Sequence, residues 1–114
     1  MTTEYKQQTA LFKALAHPAR LRILDLLAQG EVCVCHLTAV LGKRQPYVSQ
    51  QLMILREAGL VTDRKDGLMV YYRLRDGGVR DLLAAGRAAL GLPAPALPPQ
   101  PVPGCPCPHC CSTP

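Results

Sequence analysis

Two cysteines separated by a single residue, Cys33 and Cys35, are the side chains of this chain best suited to chemistry. A thiolate is a soft ligand, so a close pair selects soft metal and metalloid ions over magnesium or calcium. The pair stands at the head of an amphipathic segment, where the dipole of a helix start favours thiolate over thiol. Successive helical residues turn by about 100°, so we expect joint binding by both sulfurs to distort this first turn. The alternative is two small buried side chains that bind nothing.

A second set of thiols lies within residues 105–111, where four cysteines and one histidine occur together. The set consists of Cys105, Cys107, His109, Cys110 and Cys111. Extended at about 3.1 Å per residue, the stretch from 91 to 104 spans up to roughly 40 Å, enough to reach the first thiol pair of either subunit. We therefore expect the tail to complete a site for an ion that takes three thiolates. Two alternatives stay open: the tail binds a second ion by itself, or it is an unstructured end that only scavenges metal.

Residues 107–110, Cys-Pro-His-Cys, also match the tetrapeptide of strongly oxidising disulfide oxidoreductases. That motif works at a helix start on a thioredoxin-like scaffold of strands and helices. The pattern of this chain predicts no such scaffold around it. We therefore expect a protein that is not an enzyme.

The chain is short and basic, with 114 residues, 13 Lys and Arg against 8 Asp and Glu, and a formal net charge of +5. A positive balance concentrated in residues 43–80 fits an anionic partner such as DNA, although many proteins are equally basic. No apolar run reaches the roughly 18 residues of a membrane span, and no hydrophobic signal region follows Met1. We expect a cytoplasmic protein with no membrane partner, whose six cysteines are metal ligands or redox thiols rather than a disulfide scaffold.

The elements that must position the thiols follow from apolar spacing, glycines and prolines. Helices, each with apolar residues recurring every three or four positions, are predicted over residues 4–16, 18–30, 31–41, 46–58 and 79–90. His17 is expected to have a structural role at a helix end. The third and fourth helices, joined at Gly42, make a helix-turn-helix, and an Asp66-Gly67 turn between two alternating runs predicts a β-hairpin wing.

The predicted fold is therefore mainly α with a β-hairpin wing, a dimeric winged helix-turn-helix. It occupies residues 1–91 as one DNA-binding and dimerisation domain. Residues 92–114 are a Pro- and Cys-rich tail, expected to be flexible without metal.

Several motifs occur in order and together resemble the ArsR/SmtB family of metal-responsive winged-helix repressors. The resemblance covers roughly residues 5–90. It implies a homodimer, formed through the first and last helices, that represses an operator until a toxic ion releases it. Symmetry then places two recognition helices about 34 Å apart on an inverted repeat in double-stranded DNA. The motifs lie in residues 15–24, 31–37, 48–61 and 67–74.

Within that family, a Cys-Val-Cys box in this helix implies a sensor of arsenite, antimonite, cadmium or lead, and Cys33 and Cys35 fall on its two thiols. The arsenic-type box continues with Asp and a third Cys, where this chain has His36 and Thr38. The third ligand therefore stays open, with His36 as one candidate. Zinc sensors of the family use His and acidic residues on the last helix, which here offers only Asp81.

We expect As(III) or Sb(III) as the effector. Cd(II), Pb(II) and Zn(II) are the alternatives among ions. A different alternative is a repressor of the same fold in which oxidation of the thiols, rather than metal, is the signal.

The recognition helix and the wing carry the candidate DNA contacts. Side chains near the start of the recognition helix meet base edges, basic residues around it hold phosphates, and the wing approaches the backbone or the minor groove. The alternative for each is a solvated surface residue, and for Arg56 an ion pair with Glu57 or a nearby Asp. The candidates are Gln45, Tyr47, Ser49, Gln50 and Gln51 for bases, Lys43, Arg44 and Arg56 for phosphates, and Arg64 and Lys65 in the wing.

Overall fold

The computed structural model of the protein describes residues 2–98. Within that range five helices and three strands follow one another, and no helix there has both the length and the apolar character needed to cross a bilayer. The mainly α winged helix-turn-helix predicted from the sequence is confirmed. The elements are α1 (Thr3–Leu15), α2 (Pro18–Ala28), β1 (Val32–Cys33), α3 (Val34–Leu41), α4 (Gln45–Glu57), β2 (Val61–Asp66), β3 (Met69–Leu74) and α5 (Gly77–Ala89).

Helix boundaries follow from local capping. Pro18 begins α2, and Nδ1 of His17 accepts the backbone N–H of Ala19 at 3.2 Å, the structural role expected of this histidine. Gly42 ends α3 with a φ of 64°, a left-handed conformation that glycine adopts without strain. The chain then turns directly into α4, so α3 and α4 form the predicted helix-turn-helix.

Three antiparallel strands form one small sheet in the order β1-β3-β2. β2 and β3 are the arms of the predicted hairpin, with the turn after Asp66. β1 contributes only Val32 and Cys33, which pair with Tyr72 and Tyr71 on β3. The wing is therefore attached to the strand that leads directly into α3.

The core is built around α2, which contacts the other helices and β3. Aliphatic side chains of α2, α3 and α4 fill this core, and the full burial of each one contributes about 1.5–3 kcal/mol to stability. Packing of these side chains therefore fixes how α3 and α4 lie on α2, and it leaves the opposite face of α4 exposed. The fully buried aliphatic residues of α2, α3 and α4 are Ile23, Leu24, Leu26, Leu27, Leu37, Val48, Leu52 and Leu55.

The third helix is shorter than predicted. The sequence pattern predicts a helix over residues 31–41, whereas α3 begins at Val34 because Val32 and Cys33 are extended and pair with β3. A β-branched residue suits a strand that packs in a half-buried sheet. A strand of two residues is too short to show a period of its own.

The first residues of the predicted tail lie against the domain. Arg87 donates from Nη1 to the carbonyl of Pro93 at 2.8 Å, and Arg22 donates from Nη1 to the carbonyl of Ala96 at 3.3 Å. Leu97 packs against the core cluster. Residues 92–98 therefore lie along α2 and α5. The tail cysteines Cys105, Cys107, Cys110 and Cys111 lie outside the described residues.

Candidate thiol site and nucleic-acid interface

The two thiols of the Cys-Val-Cys motif lie side by side at the junction between β1 and α3. Cys33 is the N-cap of α3, with an extended backbone (φ −84°, ψ 164°), and Cys35 lies in the first helical turn. Their Cα atoms are 5.4 Å apart and their sulfurs are joined in a disulfide. The expected distortion of a helical turn is therefore unnecessary, because Cys33 is not helical.

The helix start supplies a hydrogen bond to one of the sulfurs. Sγ of Cys33 accepts the backbone N–H of His36 at 3.3 Å. A sulfur in this position interacts with the positive end of the α3 dipole, which stabilises negative charge. Cys33 is buried, with an exposed fraction of 1%, and Cys35 is half-buried. An ion would therefore reach the pair from the side of Cys35.

The surroundings of the sulfur pair come from the wing. Cys33 and Tyr71 form a small buried cluster, against which Cys35, Val40 and Met69 pack. Tyr71 and Met69 belong to β3, and Val40 belongs to α3. The site therefore lies between the helix-turn-helix and the wing.

When reduced to thiolates, Cys33 and Cys35 supply two sulfur donors, and the described residues hold no complete set of ligands around them. His36 is buried, and desolvation lowers its pKa, so its imidazole is neutral near pH 7. The hydroxyl of Thr38 donates to the carbonyl of Cys35 at 2.8 Å. Between residues 2 and 98, no three side chains among His, Cys, Asp and Glu gather closely enough to hold a metal ion.

Six of the ten candidate DNA contacts lie in the turn before α4 or in the first half of that helix. Lys43, Arg44, Gln45 and Gln50 are exposed, whereas Tyr47 and Ser49 are half-buried. The ammonium of Lys43 lies 6.0 Å from the centre of the Tyr47 ring. The structure therefore brings these six side chains together around the start of α4.

Gln51 differs from this set, because its side chain faces the core. Its exposed fraction is 7%, and its Oε1 atom is buried without a hydrogen-bond partner among the described residues. The side chain is therefore turned away from the exposed face of α4. The expectation that Gln51 contacts DNA is not supported by the structure.

The remaining basic candidates differ in how they are held. Arg56 pairs with Asp63 at 3.4 Å, the ion-pair alternative stated for it. Arg64 is bound by Glu31 and stacks on Tyr71, with its guanidinium carbon 4.7 Å from the ring centre. Lys65 is exposed at the end of the wing. Lys65 is therefore better placed than Arg56 or Arg64 to meet a phosphate directly.

Sequence reasoning missed Glu31 and Tyr71, the two residues that hold Arg64. In the sequence, Glu31 is only the first residue of the motif at 31–37, and Tyr71 is only one residue of the predicted hairpin. Their roles depend on the register that places Tyr71 opposite both Cys33 and Arg64. No local pattern in the sequence specifies that register.

Large apolar side chains are exposed where α1, α2 and α5 meet. Phe12 is 50% exposed, Leu21 41% and Leu90 76%, and all three line one cavity together with Leu82. A contiguous apolar surface of this kind marks an interaction site. It lies on the first and last helices, where the sequence predicted dimerisation.

Comparison with known proteins identifies the helix-turn-helix. Residues 17–63 match the profile of the family described as bacterial regulatory protein, arsR family. The Biofilm growth-associated repressor of Agrobacterium fabrum is 49% identical over 75 residues, which cover 66% of this chain and 64% of that protein. The Arsenical resistance operon repressor of Escherichia coli is 52% identical over 65 residues, covering 56% of each chain. The chain thus spans less than two thirds of these two relatives.

A solved structure matches over most of its length. The homodimeric winged helix-turn-helix domain of Mb0332 from Mycobacterium bovis, described as a possible ArsR-family transcriptional regulator, is 37% identical. It superposes with a TM-score of 0.73, covering 76% of this chain and 81% of that domain. The fold and the relatives are those of DNA-binding regulators and not of enzymes.

Proposed function

The chain belongs to the ArsR family of bacterial regulatory proteins, and from that premise we propose that it is a transcriptional repressor that leaves its operator when Cys33 and Cys35 capture a thiol-binding effector. The observation that carries this proposal is the position of the paired sulfurs. They lie at the N-terminus of α3, the helix that packs on the recognition helix α4. A change at the sulfurs therefore acts directly on the DNA-binding unit.

The effector class follows from the donors. Two adjacent sulfurs favour soft ions, and we propose As(III) or Sb(III), with Cd(II), Pb(II) or Zn(II) as alternatives. A relative is named as an arsenical resistance operon repressor, which supports the metalloid. Because residues 2–98 hold no complete ligand set, we propose that Cys105, Cys107, Cys110 or Cys111 supplies the missing thiolate.

The DNA side of the proposal rests on the exposed face of α4 and on the wing. Gln45, Tyr47, Ser49 and Gln50 are the side chains proposed to meet base edges. Two copies of the chain, joined through the apolar surface of α1 and α5, would read an inverted-repeat operator in the cytoplasm. The remaining proposed contacts, to phosphates, are Lys43, Arg44, Arg56, Arg64 and Lys65.

A second candidate signal is oxidation of the same thiols, and it is favoured by the disulfide between Cys33 and Cys35. Two thiols would give up two protons and two electrons to a peroxide, which is reduced to two waters or to water and an alcohol. The DNA-binding half of the proposal is the same. Only the chemistry that joins the sulfurs differs.

The test measures release of a fluorescent duplex, selected from a random DNA pool by the purified full chain. Sodium arsenite is added under a reducing buffer, and hydrogen peroxide is added in a parallel series. We expect arsenite to release the wild-type protein, and C33S/C35S to stay bound. Release of the double variant at the wild-type arsenite concentration contradicts the thiol site.

The matched control is the quadruple variant C105S/C107S/C110S/C111S. If the tail completes the site, this variant needs a higher arsenite concentration for release. An unchanged concentration leaves the pair Cys33 and Cys35 as the site and removes the tail from it. Release by peroxide alone, with no response to arsenite, supports the redox candidate instead.

A further inference from the structure

A row of three side chains crosses the sheet from the thiol pair to the wing. In the strand register, Cys33 on β1 lies opposite Tyr71 on β3, and Tyr71 lies opposite Arg64 on β2. Residues directly opposite one another in antiparallel strands project from the same face of the sheet. We call Cys33, Tyr71 and Arg64 the cross-strand row.

Each step along the cross-strand row is a direct contact. Cys33 packs against Tyr71 in a buried cluster, and both have exposed fractions of 3% or less. The guanidinium carbon of Arg64 lies 4.7 Å from the centre of the Tyr71 ring, within the range of a cation–π contact. A displacement of the Cys33 sulfur therefore meets Tyr71 first and Arg64 next.

Glu31 binds Arg64 at the wing end of the cross-strand row. It lies directly before β1, so the chain connects it to Cys33 through Val32 alone. Nε of Arg64 donates to Oε1 and Oε2 of Glu31, each at 3.0 Å, and Nη2 donates to Oε1 at 2.6 Å. Such fork-like pairing orients a guanidinium more strictly than an ordinary surface ion pair. The hydrogen bond to Glu31 is also the largest cause of the raised pKa of Arg64.

We infer that Arg64 is the positioning residue through which the thiol pair controls the wing. In this structure the sulfurs are joined, and Arg64 is held by Glu31 and Tyr71. Joining the sulfurs sets Cys33 and Tyr71 so that Glu31 captures the guanidinium. Separate thiols leave Arg64 able to turn toward an operator phosphate. The inference deepens the proposed function and rests on it for the sensing role of the pair.

The effector step balances without a redox partner when the ion is arsenite. Each As–S bond replaces one As–OH bond, and the thiol proton leaves with the hydroxide as water. Two such exchanges on arsenous acid link Cys33 and Cys35 through one arsenic atom and release two waters. No electrons are transferred.

A substitution of Asp66 is the matched control for a substitution of Glu31. Asp66 also lies near Arg64, with Oδ2 of Asp66 at 3.7 Å from Nη1, but it belongs to the wing strand β2 itself. E31Q and D66N therefore remove the same charge from the same guanidinium. Only E31Q cuts the link between the wing and β1. Any general gain in DNA affinity from the lost negative charge is common to both variants.

The first readout is the ratio of operator dissociation constants with and without sodium arsenite, measured on the full chain. We expect E31Q to lower this ratio by about threefold or more, because the arsenite-bound variant keeps Arg64 available for DNA. R64K should also lower it, since an ammonium lacks the planar fork and the ring stack. D66N should keep the wild-type ratio. Equal ratios in E31Q, D66N and the wild type overturn the inference.

The second readout needs no DNA, and it separates this inference from the proposed function. The Nε–H resonance of Arg64 is followed by NMR while arsenite is added to the reduced protein. We expect a shift in the wild type and in D66N, and none in E31Q. An unmoved resonance in the wild type overturns the role of Arg64, even if arsenite releases DNA. A moved resonance without DNA release supports Arg64 and contradicts the repressor mechanism.

Discussion

Gln50 and Gln51 are identical residues on α4 with opposite surroundings. Gln50 is exposed, whereas Gln51 is 7% exposed and leaves Oε1 buried without a hydrogen-bond partner among the described residues. A buried acceptor that gives up water without gaining a partner costs about 1–3 kcal/mol. The two neighbours therefore separate a side chain proposed to contact DNA from one that packs in the core.

Replacing each glutamine by methionine tests this assignment. We expect Q51M to raise the free energy of unfolding by about 1 kcal/mol, because the unpaired acceptor is removed at similar volume. Q50M should leave stability unchanged and weaken operator binding. Urea denaturation and fluorescence anisotropy measure the two quantities. A loss of DNA affinity in Q51M, with none in Q50M, would reverse the assignment.

Through His36 in α3, we expect the stability of the domain to depend on pH. Burial lowers its pKa, so the native state binds fewer protons at this residue than the unfolded state, whose pKa is about 6.5. Its contribution to stability is therefore full above that unfolded value and is lost as the pH falls below it.

We expect the free energy of unfolding of the wild type to fall between about pH 7 and about pH 5 more steeply than that of H36Q, which cannot titrate there. Urea denaturation of both chains across this interval provides the measurement. Parallel pH profiles for the two chains would show that His36 does not contribute.

At the scale of elements, two neighbouring basic residues of the wing have different surroundings. Arg64 is held by Glu31 and Tyr71, whereas Lys65 is exposed at the end of β2. The two neighbours therefore differ in their surroundings, although both are predicted as wing contacts. Lys65 is the wing residue suited to a simple phosphate contact.

The salt dependence of operator binding tests this role of Lys65. Each phosphate neutralised by a protein cation adds about 0.9 to the slope of log affinity against log salt. K65Q should lower that slope by about 1 and weaken binding to all sequences alike. K6Q, the same change on α1, is the matched control and should keep the wild-type slope. Equal slopes for K65Q and the wild type would place Lys65 away from the DNA.

The helices and strands also show which parts of the fold can be predicted from the sequence alone. Apolar periodicity predicted α2 and α4, and the Asp66-Gly67 turn predicted the hairpin, because each of these signals is local. β1 could not be predicted, since two residues become a strand only when β3 lies beside them. For the same reason, the sequence located both thiols but did not show that their sulfurs come together while α3 stays undistorted.

For the whole molecule, the apolar surface on α1, α2 and α5 is the feature that we propose a second copy covers. Phe12 and Leu90 are 50% and 76% exposed there. A related domain, Mb0332 from Mycobacterium bovis, is described as homodimeric. Dimerisation of this chain through the same helices would bury these side chains and set the spacing of the two recognition helices.

F12E places a charge in this surface and should shift the protein from dimer to monomer, because an unpaired charge is costly to bury. Operator affinity should fall with it, since each monomer reads one half-site. Sedimentation velocity measures the oligomeric state. The control is L68E at the tip of the wing, where Leu68 is fully exposed. A dimer in F12E, or a monomer in L68E, would place the interface elsewhere.

The N-cap position of Cys33 bears on how a regulator of this kind can evolve. The sulfur receives the His36 N–H, a task that a serine hydroxyl performs as well or better. Serine at this position would therefore preserve the start of the helix while abolishing soft-ion chemistry, whereas alanine would impair both. Under the proposed function, one substitution would therefore convert an inducible repressor into a constitutive one, which keeps its architecture and stays on its operator whatever toxin enters the cell.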